Sequence, residues 1–292
     1  LVSGNTIVVK PSVDSPINAV LFSEIVHQVG LPKGVFNVVH GSGGEIGYEL
    51  SANPKVGLVS LTGSEPAGRK VMEAASQNIT KVNLELGGKA PAIVFADADL
   101  DLAAKAIVAS RVINSGQVCN CAERIYVQRE VKESFTEKLV ELMKKVRFGD
   151  PLADESLDMG PMVNLQGQQH AQKMVDETIK AGGKLLLGGK AVQGKGHYFE
   201  PTVIADVSND MAILREEIFA PVIPVATFDT VDEVIQLAND CEYGLTSSVY
   251  TQNINKAMKV ISRLKFGETY VNRENFEAMQ GFHAGRRKSG IG

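Results

Sequence analysis

With 292 residues, 44% of them apolar and 22% charged, the chain is long enough to bury one large core or two medium ones. A net charge of −4 and an isoelectric point near 5.8 argue against nucleic acid or an anionic membrane as the main partner. The three cysteines form neither a disulfide framework nor a zinc spacing, and no apolar run approaches the roughly 20 residues of a transmembrane helix. We therefore expect a cytoplasmic protein without a metal site.

The first part of the chain alternates short apolar runs with helical patterns. Strands are predicted at residues 6–9, 35–39, 56–61 and 81–86 because β-branched and apolar residues cluster there between turn formers. Helices are predicted at residues 17–29, from residue 41 onward, and from residue 64 to about 78. Strands that alternate with helices of this length indicate an α/β fold with a parallel, doubly wound sheet.

The second part continues this alternation with longer elements. Its predicted strands are residues 92–95, 124–127, 221–228, 247–250 and 268–271, and its predicted helices are residues 100–113, 132–146, 166–181, 231–239 and 255–264. The six glycines of segment 182–196 predict turns there. We place the domain boundary at Gly87-Gly88, giving domains 1–87 and 88–292. This choice puts Glu85 and Cys119 on opposite sides of an interdomain cleft, where ligands usually bind.

Glu85 and Cys119 can carry chemistry together. Glu85 ends an apolar strand before two glycines, where the backbone turns sharply, and Cys119 follows a Gly-Gln turn at an element boundary. A thiol nucleophile and a carboxylate base suit covalent catalysis with a hydrolytic second step. The alternative is a packing role, since a lone cysteine is more often a small buried apolar residue.

Two segments of the first domain could bind a dinucleotide. Thr62-Gly63-Ser64 precedes a helix and offers free backbone N–H groups, although an ordinary capping serine explains it equally well. Lys10 lies at the carboxyl end of a strand, where α/β sheets bind ligands, and its alternative is a solvated lysine. The glycines at 41, 43 and 47 miss the G-x-G-x-x-G spacing by one residue and indicate a turn.

The segments Leu84-Glu85-Leu86-Gly87-Gly88-Lys89 and Gly116-Gln117-Val118-Cys119 closely resemble the two active-site signatures of the aldehyde dehydrogenase superfamily. The resemblance extends over nearly the whole chain. Around residues 113–124 and 272–292 it is strongest to the subfamily that oxidises lactaldehyde and glycolaldehyde. It implies NAD(P)-dependent oxidation of a small aldehyde to its carboxylic acid. The implied catalytic residues are Cys119, which forms a thioester, and Glu85, which activates the hydrolytic water.

The same resemblance implies a set of cofactor contacts. The segment Lys10-Pro11-Ser12-Val13 would contact the adenosine ribose and Ser64 the pyrophosphate, with Leu86 as a further cofactor contact. In Glu216-Glu217-Ile218-Phe219-Ala220-Pro221, Glu217 would hold the nicotinamide ribose and Phe219 would back the nicotinamide ring, while Ala220 replaces the family's usual glycine. NAD-preferring members often carry glutamate where this chain has Val13. We expect NAD as the cofactor, with NADP possible, because a carboxylate that would repel a 2′-phosphate is missing.

The polar segment 272–283 suggests hydrogen-bond partners for a small hydroxyaldehyde. The resemblance singles out Asn120, Glu277 and His283 as substrate contacts, and Asn120 could also donate to a developing oxyanion. The alternative is a set of solvated loop residues. The family pattern selects Cys119 over Cys121, which is expected to pack, and Cys241 is expected to be structural.

Two other functions fit these motifs. One is a relative that passes the acyl group to coenzyme A, although a water-activating Glu85 argues against it. The other is a non-catalytic module that binds nucleotide or mediates subunit contact. Because the chain begins without methionine and stops within a motif, we expect both ends to be cut, with a first strand and a C-terminal tail missing. Residues 1–292 alone are then expected to be inactive, whereas the complete enzyme would be a homo-oligomer, a dimer or a tetramer.

Overall fold

The computed structural model describes residues 1–292 and divides into two compact units, Leu1–Leu84 and Glu85–Gly292. The first unit ends at Leu84 rather than at Gly87, where the sequence suggested the boundary, and Glu85 therefore belongs to the same unit as Cys119. None of the helices is long and apolar enough to cross a membrane.

The first unit alternates strands and helices, as the sequence predicts. Its elements are β1 (Ile7–Val9), α1 (Ile17–Gln28), β2 (Phe36–Val38), a π-helical turn (Gly43–Gly47), α2 (Tyr48–Ser51), β3 (Leu58–Thr62), α3 (Glu65–Ser76) and β4 (Lys81–Glu85, whose last residue opens the second unit). Strands β1 and β2 pair in parallel with Ile7 opposite Phe36. Strands β3 and β4 are neighbours in a second sheet. The loop after β1 and the start of α3 carry the residues expected to bind the cofactor.

The second unit is built on a seven-stranded sheet. Its strands are β5 (Ala90–Val94), β6 (Ala122–Gln128), β7 (Lys184–Leu187), β8 (Thr202–Ala205), β9 (Val222–Phe228), β10 (Thr246–Tyr250) and β11 (Glu268–Val271), and β12 (Gly290–Ile291) follows. The order across the sheet is β11-β10-β5-β6-β9-β8-β7, and each neighbouring pair is parallel except β7–β8. The result is the mixed α/β architecture with a parallel sheet that the sequence predicts.

Helices cover both faces of this sheet. They are α4 (Leu100–Val112), α5 (Lys132–Met143), α6 (Leu165–Lys180), α7 (Ala212–Arg215), α8 (Val231–Asn239) and α9 (Ile254–Arg263), with 3₁₀ turns at Ile113–Gly116, Arg129–Val131 and Arg287–Ser289. Because successive side chains of a strand point to opposite faces, Ala92 and Val94 of β5 pack with α4 and α5, whereas Ile93 between them joins the core beneath α6 and α8. Burial on both faces explains why β5 is a continuous apolar run.

Segment 182–196, where turns are expected to dominate, also contains strand β7, and the sequence predicts no strand at β8. Strand β7 pairs antiparallel with β8 at the edge of the sheet, with Leu185 opposite Ile204. Gly188 ends β7 at φ +65°, and a Cβ there would lie 2.3 Å from the carbonyl oxygen of Pro201. The strand is stabilised by this pairing across the fold, which local glycine content does not reveal.

Candidate active site

The link between β4 and β5 passes directly against the backbone of Cys119. Glu85 is the last residue of β4, and Gly87 and Gly88 connect it to β5. A Cβ added at Gly88 would lie 2.4 Å from the carbonyl oxygen of Cys119, which is closer than real Cβ contacts allow. Glycine at this position is therefore a steric requirement for bringing the cysteine loop to the end of β4.

A sharp turn after α4 delivers the cysteine. Asn114, Ser115 and Gly116 take consecutive left-handed conformations, with φ values of 48°, 58° and 75°. The turn is fixed by the Ser115 hydroxyl, which donates to the carbonyl of Gly160 at 2.7 Å. A left-handed residue other than glycine carries strain and persists only where the surroundings enforce it. Two such residues in succession mark this loop as a functional candidate.

Cys119 is partly buried, whereas Cys121 and Cys241 are 1% and 7% exposed. Burial, together with the carboxylates of Glu217, Glu277 and Glu85, raises the pKa of Cys119 to about 11. The structure thus brings four of the predicted site residues into one electrostatic neighbourhood. With three carboxylates around it, the thiol is protonated at neutral pH unless a positive charge approaches.

Glu217 is held above the glycine link. Its Oε1 atom accepts a hydrogen bond of 2.8 Å from the backbone N–H of Gly88, and a Cβ at Gly87 would lie 2.4 Å from its Oε2 atom. Burial and the nearby charge of Glu123 raise the pKa of Glu217 to about 7. Phe219, two residues on, has a left-handed φ of 52° and a side chain that is 38% exposed. The nicotinamide contacts expected for these two residues stay predictions.

Beneath this site is a buried ionic network that sequence reasoning missed. Glu123 accepts from the ammonium of Lys89 at 2.6 Å and from the guanidinium of Arg111 at 3.1 Å, and all three residues are at most 2% exposed. The Glu123 carboxylate also accepts from the backbone N–H groups of Ile218 and Phe219 at 3.2 and 3.0 Å. Burial opposes ionisation of Glu123, but these cations and donors hold its pKa below the ordinary value. One carboxylate therefore ties together the segments that carry Glu85, Cys119 and Glu217.

A signal for this network was present in the sequence. Glu123 lies in the buried strand β6, Lys89 lies directly before the apolar strand β5, and Arg111 lies near the end of α4 after the apolar run Ala106–Ala109. A charged residue within a buried run requires a partner of opposite charge. The sequence could therefore indicate that these residues pair, but not with which partner.

Asn120 and Glu277 lie together. The amide nitrogen of Asn120 donates a short hydrogen bond to the Oε2 atom of Glu277, and Asn120 is 4% exposed. The Asn120 backbone is fixed in turn by the hydroxyl of Thr246, which donates to its carbonyl at 3.1 Å. The amide that the sequence suggested as an oxyanion donor is thus already engaged with the carboxylate suggested as a substrate contact.

Glu85 has its own polar surroundings. Its Oε2 atom is buried without a hydrogen-bond partner, and the Nε2 atom of His283 lies 4.0 Å from it. The other ring nitrogen of His283 lies 2.7 Å from the Oε1 atom of Glu268. Burial raises the pKa of Glu85; Glu268 adds to the shift and His283 opposes it. Glu268 had no predicted role.

In the first unit, the predicted cofactor residues lie at the ends of two elements. Lys10 follows β1 and donates to the carbonyls of Pro11 and Gly41 at 2.6 and 3.3 Å. Ser12 accepts from a backbone N–H, and Val13 is 65% exposed. Ser64 occupies the position before α3, but its side chain makes no capping hydrogen bond. The capping alternative for Ser64 therefore has no hydrogen bond to support it. Leu86, in the second unit, is 7% exposed.

Comparison with known proteins gives one consistent result. The family model described as the aldehyde dehydrogenase family matches residues 1–292. Lactaldehyde dehydrogenase of Escherichia coli is 59% identical over 292 residues, which are 100% of this chain and 61% of that protein. A solved structure of lactaldehyde dehydrogenase superposes with a TM-score of 0.98 at 59% identity, over 99% of this chain and 61% of that one. D-glyceraldehyde dehydrogenase (NADP⁺) of Picrophilus torridus is 41% identical over 295 residues, covering 99% of this chain and 59% of that protein.

The chain therefore spans about three-fifths of the length of the relatives that it matches. The matched residues, 1–292, include segments 84–89, 116–119 and 272–283 of this chain.

Proposed function

Because the chain belongs to the aldehyde dehydrogenase family, we propose that the complete protein oxidises a small hydroxyaldehyde to its carboxylic acid with a nicotinamide cofactor. The observation that carries this proposal is the glycine link after Glu85, which lies against the backbone of Cys119 and donates a hydrogen bond to Glu217. In the proposal Glu85 is the base for hydrolysis and Glu217 a cofactor contact. High similarity to a lactaldehyde dehydrogenase and a D-glyceraldehyde dehydrogenase supports a substrate that carries a hydroxyl beside the aldehyde.

Cys119 is the nucleophile in this proposal. Its thiolate adds to the aldehyde carbon, and hydride loss from that carbon leaves a thioester on the sulfur. A bound nicotinamide supplies the hydride acceptor and the positive charge that favours the thiolate. Without such a charge, burial and the surrounding carboxylates keep the thiol protonated, since together they raise the pKa of Cys119 to about 11. This arrangement favours reaction after the cofactor is bound.

Glu85 is the base of the second half-reaction. Its partly buried carboxyl takes a proton from water as that water attacks the thioester carbon, and the C–S bond then breaks to release the carboxylic acid. The raised pKa of Glu85 matches this role, because a carboxylate with an ordinary pKa is a weak base near neutral pH.

The residues of each unit fit the cofactor contacts assigned to them. In the first unit, the Ser64 hydroxyl is free of capping and the N–H groups that begin α3 are suited to a phosphate. In the second unit, the glycine at 87 leaves the Glu217 carboxylate room above the link, and Phe219 presents a partly exposed ring. We assign Lys10, Pro11, Ser12 and Val13 to the adenosine ribose, with Leu86 as a further contact. NAD is our first choice, although one relative is named for NADP.

For the substrate, we assign Asn120, Glu277 and His283. Asn120 and Glu277 already form a hydrogen-bonded pair, which could exchange partners with a hydroxyl of the substrate. The Glu277 carboxylate also helps to raise the pKa of Cys119, which supports its assignment to this site.

The test is NADH formation by the complete protein, followed near the reduced nicotinamide band at about 340 nm. Glycolaldehyde, lactaldehyde and propionaldehyde are compared, each with and without coenzyme A. Oxidation in water alone, with the hydroxyaldehydes preferred over propionaldehyde, supports the proposal. A strict requirement for coenzyme A would assign an acylating enzyme instead, and nucleotide binding without aldehyde-dependent NADH formation would assign a non-catalytic module.

A further inference from the structure

The buried Oε2 atom of Glu85 faces a histidine that is already fixed from its other side. Glu85 Oε2 has no hydrogen-bond partner, and His283 Nε2 lies 4.0 Å away. A buried acceptor without a hydrogen bond costs free energy, because it has lost its solvation by water. Such an atom in a catalytic site therefore calls for a functional explanation. Catalytic hydrogen bonds are often longer in the free protein than in the reacting complex. A small rotation of either side chain would close this gap.

Glu268 determines which nitrogen of His283 carries the proton. The Nδ1 atom lies 2.7 Å from Glu268 Oε1, and a carboxylate accepts only, so Nδ1–H is the donor. The Nε2 atom of the neutral ring is then an acceptor directed toward Glu85. The second oxygen of Glu268 accepts from the hydroxyl of Tyr270, which lies two residues along β11 on the same face. Burial and this bond raise the pKa of Tyr270, which keeps the phenol a donor.

We propose that His283 is the proton acceptor for Glu85. The His283–Glu268 pair thereby carries the proton of the hydrolytic water away from the site of thioester hydrolysis. The step rests on the proposed function and balances as follows. The water oxygen bonds to the thioester carbon, its proton passes to Glu85 and then to His283 Nε2, and the C–S electron pair leaves on Cys119. The imidazolium is stabilised by the Glu268 carboxylate, and Glu85 is ionised again for the next turnover.

The pair can return the proton to solvent. The side chains of His283 and Glu85 are each 22% exposed and that of Glu268 is 17% exposed, whereas the Oε2 atom of Glu85, which faces His283, is itself buried. The other charged groups that affect this cluster are Glu277 and Arg273, both of which act on Tyr270. A base that must release its proton once per turnover benefits from a partner with access to water.

This role is distinct from contact between His283 and the substrate hydroxyl. Propionaldehyde has no hydroxyl, so a substrate-binding histidine contributes little to its oxidation, whereas a proton acceptor for Glu85 contributes fully. The experiment compares His283→Gln and Glu268→Gln in the complete protein with propionaldehyde, by stopped-flow measurement of NADH. His197→Gln is the matched control, because His197 lies at a bridge with Met162 outside this cluster.

We expect both variants to form the thioester at the wild-type rate, seen as a burst of NADH, and to hydrolyse it about tenfold more slowly. This loss is smaller than the roughly 10²–10⁴-fold contribution of a whole general base, because Glu85 itself is retained. Added imidazole should restore part of the rate of His283→Gln. Unchanged hydrolysis in both variants, or a defect confined to hydroxyaldehydes and to KM, would overturn the proposal. A wild-type protein that forms no NADH with any aldehyde would instead contradict the proposed function, and a folding defect would slow the burst as well as hydrolysis.

Discussion

The backbone N–H of Gly88 donates a hydrogen bond of 2.8 Å to the carboxylate of Glu217, which lies 129 residues later in the chain. This bond joins the link after Glu85 to the segment that carries Phe219. Below it, Glu123 binds the N–H groups of both Ile218 and Phe219. The position of the Glu217 carboxylate therefore depends on backbone contacts from two directions.

Substituting alanine for each glycine of the link should have two different effects. At Gly87 the new Cβ would meet the mobile end of the Glu217 side chain at 2.4 Å, so Gly87→Ala should fold but displace the carboxylate and weaken cofactor binding by about tenfold. At Gly88 it would meet the backbone oxygen of Cys119, which cannot move aside, so Gly88→Ala should lower the melting temperature. Cofactor titration and thermal unfolding measure the two effects.

Gly57→Ala is the control, because nothing lies within 4 Å of a Cβ there. Equal effects of the Gly87 and Gly88 variants on both measurements would contradict this account of the link.

Replacing Cys119 with serine should abolish aldehyde oxidation, because a hydroxyl without strong activation is far less nucleophilic than a thiolate. Cys121→Ser should oxidise aldehydes normally, since Cys121 is buried. In the cofactor-free protein, alkylation of Cys119 by iodoacetamide should be slow at pH 7 and rise with pH toward the pKa of about 11. Loss of activity in the Cys121 variant, rather than in the Cys119 variant, would show that Cys119 is not the nucleophile.

Replacing Glu123 with glutamine should destabilise the protein by about 3–5 kcal/mol, because Lys89 and Arg111 would then be buried without a counter-charge. The matched control is Asp229→Asn, which removes one partner of the exposed pair with Arg129 and should change stability little. Urea unfolding measures both. Equal stability of the two variants would show that the buried network contributes no more than a surface ion pair.

The sequence predicted the elements whose signals are local. Helix α8 spans Val231–Asn239 as predicted, and its start is fixed by a capping box between Thr230 and Glu233. Strand β11 also has its predicted bounds, Glu268–Val271. Apolar spacing and capping residues act within a few positions of each other, so one sequence contains the whole signal.

The contacts that shape the site are not local. Glu123 pairs with Lys89 across 34 residues and with the backbone of Phe219 across 96. The same holds for His283 and Glu268, because their hydrogen bond forms only where the loop after β11 folds back against that strand. Motif resemblance placed Glu85, Cys119 and Glu217 without these contacts, and their catalytic and binding roles remain predictions.

Val13→Glu should lower the ratio of NADP-dependent to NAD-dependent activity. Val13 is 65% exposed beside the predicted ribose contact, so a glutamate there costs little stability and would repel a 2′-phosphate. Val13→Gln is the matched control, because it adds the same side-chain length without charge. The ratio of kcat/KM values for the two cofactors measures the effect. A ratio that falls equally in both variants, or in neither, would contradict the placement of the ribose near Val13.

Glu217→Gln should change how stability depends on pH. Burial and the charge of Glu123 raise the pKa of Glu217 from 4.5 to about 7, so between these pH values the folded protein holds a proton that the unfolded chain releases. Wild-type stability from this group is therefore full below pH 4.5 and is lost as pH rises to about 7. Glutamine does not titrate. The free energy of unfolding of the variant should therefore rise relative to that of the wild type by up to about 3 kcal/mol between pH 4.5 and about 7. The raised pKa of Glu85 is common to both proteins and cancels. Urea unfolding at pH 5 and pH 8 tests this, and a stability difference that is the same at both pH values would show that Glu217 is ionised in the folded protein throughout.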